Sequence, residues 1–234
     1  MKNLTTFALL WLLACVPALA QTAPQTRAVA PFRAVEVANG IELRLAAGPT
    51  QLVTASADTP ENQARIKTDV RDGVLRITFE RDKSELWGRK NYVRNLRVSV
   101  TAPPLASLEA SSGANIDVAG PYATDALQLN LSSGGSLTGD LTLKVLKAQL
   151  SSGGTAQITG TIGRLDVHTS SGGTFKGDGL RAVTCDASAS SGGSIAVAVQ
   201  ETLTAEASSG GDVRYSGSPQ VTKHTSSGGS VKSR

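Results

Sequence analysis

From Phe32 to Thr101 apolar and polar residues alternate with a period of two, as in Val35-Glu36-Val37, Ile41-Glu42-Leu43-Arg44-Leu45, Val74-Leu75-Arg76-Ile77-Thr78-Phe79 and Leu96-Arg97-Val98-Ser99-Val100. Successive side chains of a strand point to opposite faces, so this pattern predicts half-buried strands. Asn39-Gly40, Gly48-Pro49 and Asp72-Gly73 punctuate the runs and predict antiparallel strands joined by tight turns. Pro60 to Ile66 suits one helical turn, and no segment of twelve or more residues carries the helical period.

Beyond Pro103-Pro104 the alternation becomes locked to a repeat. Ser-Ser-Gly-Gly or a close variant begins at Ser111, Ser132, Ser151, Ser170, Ser190, Ser208 and Ser226, with spacings of 21, 19, 19, 20, 18 and 18 residues. A period in that range is the signature of a solenoid whose coils touch only their neighbours. Counting from the first Ser as zero, position −5 holds Leu127, Leu146, Leu165, Cys185, Leu203 and Val221. Position −3 holds Leu108, Leu129, Ala148, Val167, Ala187 and Ala205, and position +5 holds Ile116, Leu137, Ala156, Phe175, Ile195, Val213 and Val231. Even positions are mostly polar, with Asn130, Gln149, His168, Glu206 and His224 at −2. These columns predict parallel strands stacked about 4.8 Å apart with the odd positions inward. The same count places the second Ser of each box inward, where a column of hydroxyls would hydrogen-bond along the stack. The glycines then supply positive φ or close approach of one wall to the next.

The predicted fold class is therefore all-β: a parallel β-helix, or β-solenoid, of about seven turns of 18–21 residues, preceded by a leading antiparallel β module. The expected divisions are a signal peptide over 1–20, the antiparallel module over 28–104 and the solenoid over 105–234.

Export is read from the N-terminus. Lys2 precedes an apolar stretch from Phe7 to Val16 that is too short to span a bilayer, and Ala18-Leu19-Ala20 offers a cleavage site before Gln21. A lipobox reading of Leu12-Leu13-Ala14-Cys15, with a lipid on Cys15, is the alternative. The expected location is the periplasm, the outer membrane or the cell surface. Cys185 is then the one cysteine left, so no disulfide framework is expected, and its inward column makes it a small hydrophobe.

Charge narrows the partners. The net charge is +4 over 234 residues. Residues 61–100 carry ten Lys and Arg against six Asp and Glu, whereas residues 101–234 carry nine against ten. No continuous basic stripe results, which argues against nucleic acid. The basic surplus is local to residues 61–100, and within them, over Asp82 to Arg94, Trp87, Arg89, Lys90, Tyr92 and Arg94 form a speculative ligand-binding loop able to stack on a sugar or hold an anionic polymer. In the competing reading Trp87 folds back on the sheet and the cations are solvated.

Chemistry on the solenoid is sparse. Asp166 and Asp186 fall on successive coils with His168 on the same outer face, an arrangement that could in principle serve glycoside hydrolysis. The plainer reading is a pair between Lys147 and Asp166 on a solvated face, with no long loops to wall a cleft. His168 and His224 lie three coils apart, roughly 14 Å at 4.8 Å per coil, too far to share an ion. No metal, cofactor or catalytic residue is expected. The box lacks the Lys-Thr or Lys-Ser and the following helix of a P-loop, and most repeats lack the Asp of calcium-binding nonapeptides.

Phe32 to Leu45 with Asn39-Gly40-Ile41, Val70 to Ile77, Val100-Thr101-Ala102-Pro103-Pro104-Leu105, the serine-glycine boxes and Ser216-Gly217-Ser218-Pro219-Gln220-Val221 resemble the bacterial head GIN domain family of autotransporter-adhesin-like proteins of unknown function. The resemblance covers nearly all of the exported chain, with Ser-Ser-Gly-Gly where the family commonly has Ser-Gly-Ala-Ser. It implies a parallel β-helical body preceded by strands, and it brings no catalytic residues. No barrel-forming segments follow the last box, so a self-sufficient autotransporter is not expected.

The function expected from the sequence is that of an exported, non-enzymatic cell-envelope or surface binding protein, adhesin-like, with carbohydrate or an envelope protein as partner. Two alternatives stand beside it. One is a structural scaffold forming homo-oligomers through the solenoid ends, against which Lys223, Lys232 and Arg234 would act as edge protection. The other is a glycan-processing enzyme using Asp166, His168 and Asp186.

Overall fold

The computed structural model describes residues 22–81 and 94–234. Five long strands, β9 (Asn115–Leu131), β10 (Ser136–Leu150), β11 (Thr155–Thr169), β12 (Thr174–Ala189) and β13 (Ser194–Ala207), each run one complete rung, and only the four-residue box separates one from the next. All pair in parallel with their sequence neighbours. Leu127, Leu146, Leu165, Cys185, Leu203 and Val221 stand opposite one another from rung to rung, as the sequence predicts. Three shorter strands, β14 (Asp212–Ser216), β15 (Gln220–Thr225) and β16 (Ser230–Ser233), finish the stack. One apolar core runs from Phe32 to Val231, so the −3 and +5 columns and the −5 column from Leu127 to Leu203 are buried.

Each box is a tight turn, and here one expectation is corrected. In Ser132-Ser133-Gly134-Gly135 the Gly135 N–H donates to the Ser132 carbonyl at 2.8 Å, while Ser133 and Gly134 have φ of +48° and +74°. Positive φ at both central residues is the type I′ geometry. It carries the second Ser outward, so Ser112, Ser133, Ser152, Ser171, Ser191, Ser209 and Ser227 are exposed and build no inner hydroxyl column. Period-two counting fails there because a turn residue in the left-handed region no longer obeys the strand's alternation. The turns also bond to each other: Gly134 N–H reaches the Ser152 carbonyl at 3.1 Å and Gly153 N–H the Ser171 carbonyl at 3.2 Å. The last Gly of the box faces inward against the rung beneath. A Cβ on Gly173 would lie 2.5 Å from the Leu150 carbonyl oxygen.

The leading part consists of β1 (Gln25–Arg27), β2 (Ala34–Val37), β3 (Glu42–Ala47), β4 (Leu52–Ser56), α1 (Pro60–Ala64), β5 (Ile66–Arg71), β6 (Val74–Phe79), β7 (Arg97–Ala102) and β8 (Ser107–Ala110). Antiparallel pairing is present where β1 meets β4, β4 meets β7 and β5 meets β6. The other pairs are parallel: β2 lies between β6 and β8, and β3 between β7 and β9. Asp72-Gly73 closes the antiparallel β5–β6 hairpin as predicted. Asn39-Gly40 does something else.

Asn39 and Gly40 have φ of +63° and +72°, and Gly40 N–H donates to the Ser112 carbonyl at 3.0 Å. This pair is therefore another corner of the stack, equivalent to a serine-glycine box, and β2 and β3 are two sides of one rung. β6 and β7 form the two corresponding sides of the rung below, paired with β2 and β3. The chain builds the β2–β3 rung first, steps down to β6–β7, then climbs past both to β8–β9. Under these rungs β4, α1 and β5 run in the opposite sense and close the parallel stack.

Candidate functional site

Outward residues inherit the register of the core. One outer column reads Arg97, Glu42, Asn115, Ser136, Thr155, Thr174, Ser194, Asp212 and Ser230, and its neighbour reads Ser99, Arg44, Asp117, Thr138, Gln157, Lys176, Ala196, Arg214 and Lys232. Small hydroxyl side chains dominate the first, and Ser136 Oγ lies 2.9 Å from Asn115 Oδ1. Among the described residues the only large apolar side chain classed as exposed is Leu52.

At the lower end of these columns the small residues between long charged arms leave a hollow of about 580 Å³. Glu42, Arg44, Arg97, Ser99, Asn115 and Asp117 line it, with Leu43 and Val98 beneath. Arg97 Nε donates to Glu42 Oε2 at 2.9 Å, an exposed pair that spans the two rungs. Two guanidinium groups and two carboxylates give the hollow no net charge. A second hollow of about 340 Å³ shares Glu42 and is bordered by Asn39, Arg81, Arg94 and Asn95. The sequence reading missed this site. Glu42 and Arg44 alternate outward legibly, but Arg97 becomes their neighbour only through the out-of-order rungs.

Of the loop residues singled out from the sequence, Trp87, Arg89, Lys90 and Tyr92 lie outside the described residues. Arg94 is described, and its guanidinium sits 5.2 Å from the centroid of the Phe79 ring, which Arg65 also approaches at 4.8 Å. Phe79 is buried, so Arg94 is held against the body of the protein.

Asp166 and Asp186 are register partners on adjacent rungs, and His168 Nε2 lies 3.0 Å from Asp166 Oδ1. Lys147 stands opposite Asp166 as expected, yet the close side-chain contact of Asp166 is with His168. A small hollow of about 260 Å³ touches Asp186, Arg164, Cys185 and Thr204 but excludes both Asp166 and His168. The trio thus shares a face without sharing a cavity. Burial pushes the Cys185 thiol up to about 12, and the carboxylates of Asp186 and Asp166 add to the shift, so the thiolate that reactivity requires is suppressed. His168 and His224 are separated by Ser188 and Glu206 in the register. Among the described residues no group of three or more metal-ligating side chains comes together.

The same fold occurs in solved structures of low sequence identity. A "putative adhesin" from Bacteroides fragilis superposes with a TM-score of 0.77 at 19% identity, over 93% of this chain and 99% of that one. A "putative adhesin" from Parabacteroides distasonis gives 0.68 at 20% identity, over 92% and 97%. A "putative lipid binding protein" from Parabacteroides distasonis gives 0.60 at 17% identity, over 90% and 96%. No curated protein matches the sequence. The family model for the "Putative auto-transporter adhesin, head GIN domain" matches residues 31–219. With that match spanning most of its 234 residues, the chain belongs to this family.

Proposed function

We propose that this protein is an exported, non-enzymatic binding protein of the cell envelope or surface, adhesin-like, and that it holds a neutral, polyhydroxylated ligand of the carbohydrate class. The observation that carries the reading is the charge-balanced hollow formed by Glu42, Arg44, Arg97 and Asp117 at the foot of two mainly polar columns. Carboxylates accept from paired hydroxyls and guanidinium groups donate to them, so this set suits a sugar better than an anion or an apolar chain. The volume falls within the range of small-molecule sites. The name of one structural neighbour refers to lipid, but among the described residues Leu52 is the one large apolar side chain that stands exposed, which favours polar contact. Export rests on the Lys2, Phe7 to Val16 and Ala18-Leu19-Ala20 signal, with lipidation of Cys15 as the competing outcome.

A glycan array probed with the exported protein tests this reading. Binding to neutral glycans that Arg44→Ala or Asp117→Ala weakens at least about tenfold, equivalent to about 1.4 kcal/mol, supports it. Trp87→Ala in the same assay assigns or removes the 82–94 loop as part of the site. Absence of glycan binding by the parent overturns the proposal. Release of reducing ends from a bound glycan, lost in Asp166→Asn or Asp186→Asn, would instead make the protein an enzyme.

A further inference from the structure

We infer that Lys223 bars further strand addition at the upper end of the stack, so that copies of this protein do not join end to end. The −3 column is apolar through six successive rungs: Leu108, Leu129, Ala148, Val167, Ala187 and Ala205. All six are at most 1% exposed. The seventh member of the column, directly opposite Ala205, is Lys223. In the −1 column Thr225 stands opposite Ala207, a milder change, since that column already accommodates a buried threonine at Thr169. Both are exposed, and the long stem of Lys223 can cover Ala205 while its ammonium group reaches water.

The two ends of the molecule are unlike. At the lower end β4 and β5 lie antiparallel on β7 and β6, which ends the parallel ladder. At the upper end β15 pairs only with β13 and β16 only with β14, leaving one side of each strand open. An open parallel edge invites pairing, and an inward-pointing charge is a recognised way to prevent it. A strand laid on β15 would enclose the ammonium of Lys223 in the apolar column with no carboxylate inside it. Two copies meeting upper end to upper end would bring two such ammonium groups into one seam. The scaffold expectation, homo-oligomers through the solenoid ends, is thus opposed by the residue that occupies the seam.

Sedimentation velocity over a hundredfold concentration range tests the inference with the full exported chain. The parent is expected to remain a monomer throughout. Lys223→Ala, which copies the residue of the two rungs beneath, and Lys223→Val with Thr225→Val are expected to associate at least about tenfold more tightly than the parent. Lys223→Glu, which keeps a charge at the seam, is expected to stay monomeric. Folding of each variant is checked by a cooperative thermal melt, and Lys223→Ala, the smaller change, serves where the double variant fails to fold. The inference is overturned if folded Lys223→Ala remains a monomer at every concentration, or if the parent itself associates and Lys223→Ala does not strengthen that association.

Discussion

The two glycines of each box have different duties, and substituting them one at a time separates turn conformation from inter-rung contact. In the box at Ser170, Gly172 has φ of +74° and open space where a Cβ would go, so Gly172→Ala meets only the left-handed backbone penalty, about 1 kcal/mol. Gly173 has no such backbone constraint, but its Cβ would lie 2.5 Å from the Leu150 oxygen and 2.8 Å from the Leu150 carbon. Ordinary carbon–oxygen contacts begin near 3.3 Å, so the rungs must part by about 0.8 Å at this corner. The Leu150 carbonyl accepts from Ser170 N–H at 2.9 Å, and separation on that scale lengthens this bond beyond useful range. Losing one hydrogen bond, leaving its carbonyl poorly satisfied in a buried corner and straining the contact together cost about 3 kcal/mol. Urea unfolding of the parent and both variants is the assay, with the midpoint shift read at constant slope. Gly173→Ala should therefore be the more damaging by about 2 kcal/mol, although Gly172 is the one in the left-handed region. Equal costs, or a greater cost at Gly172, would refute the account of the last glycine as the site of wall-to-wall approach.

Two further outcomes follow from buried polar groups. Leu105 N–H donates to Tyr122 Oη at 2.6 Å inside the protein, so Tyr122→Phe leaves that donor unpaired and should lower the unfolding free energy by about 1–3 kcal/mol in the same urea assay; an unchanged midpoint would contradict it. The Cys185 thiol, ordinarily near 9.0, is held protonated to about 12 in the folded state, so the unfolded chain loses its proton first as pH rises. The sign is that stability is intact below pH 9 and falls between pH 9 and 12, by at most about 1.4 kcal/mol per unit. Cys185→Ala should flatten that fall relative to the parent, and identical slopes would exclude Cys185 as its source.

How much of this was legible in the sequence depends on whether a feature repeats. The inward columns were readable because Leu127, Leu146 and Leu165 recur at one position of a fixed period, and a stack places equal positions above one another. The second Ser was misplaced because alternation was carried through a turn whose backbone is left-handed at Ser133 and Gly134. Asn39-Gly40 predicts a hairpin by itself because that dipeptide serves both a hairpin and a solenoid corner, and only the partner strand distinguishes them. β2 finds its partners in β6 and β8, about 40 and 70 residues further along, and no local signal records that. The hollow at Glu42 and Arg97 was invisible for the same reason, since 55 residues separate the pair. Asp166, His168 and Asp186 were brought to one face by simple counting, because they lie wholly within the regular part.

The division between what repeats and what does not also explains where specificity can reside. Stacking demands an apolar residue at inward positions, a Gly at the close approach and residues tolerant of positive φ at the corner, and it demands almost nothing of the outward columns. Structures sharing 17–20% of their residues with this chain keep the fold over nine-tenths of its length, which is the degree of freedom such a division allows. Within this chain the regular rungs present mainly Ser, Thr and Gln outward, whereas the out-of-order rungs below them bring Arg97, Glu42, Arg44 and Asp117 together from three separate segments. A repeat confined to simple duplication places like residues over like, as the run Ser136, Thr155, Thr174 and Ser194 illustrates. Unlike charges also meet within the regular rungs, as Lys144 with Asp125 at 2.8 Å, but Arg97 and Glu42 become neighbours only because the rungs are out of order. The irregular end of the stack is therefore where residues far apart in the sequence are combined on one surface, and the regular end is the place where length is set.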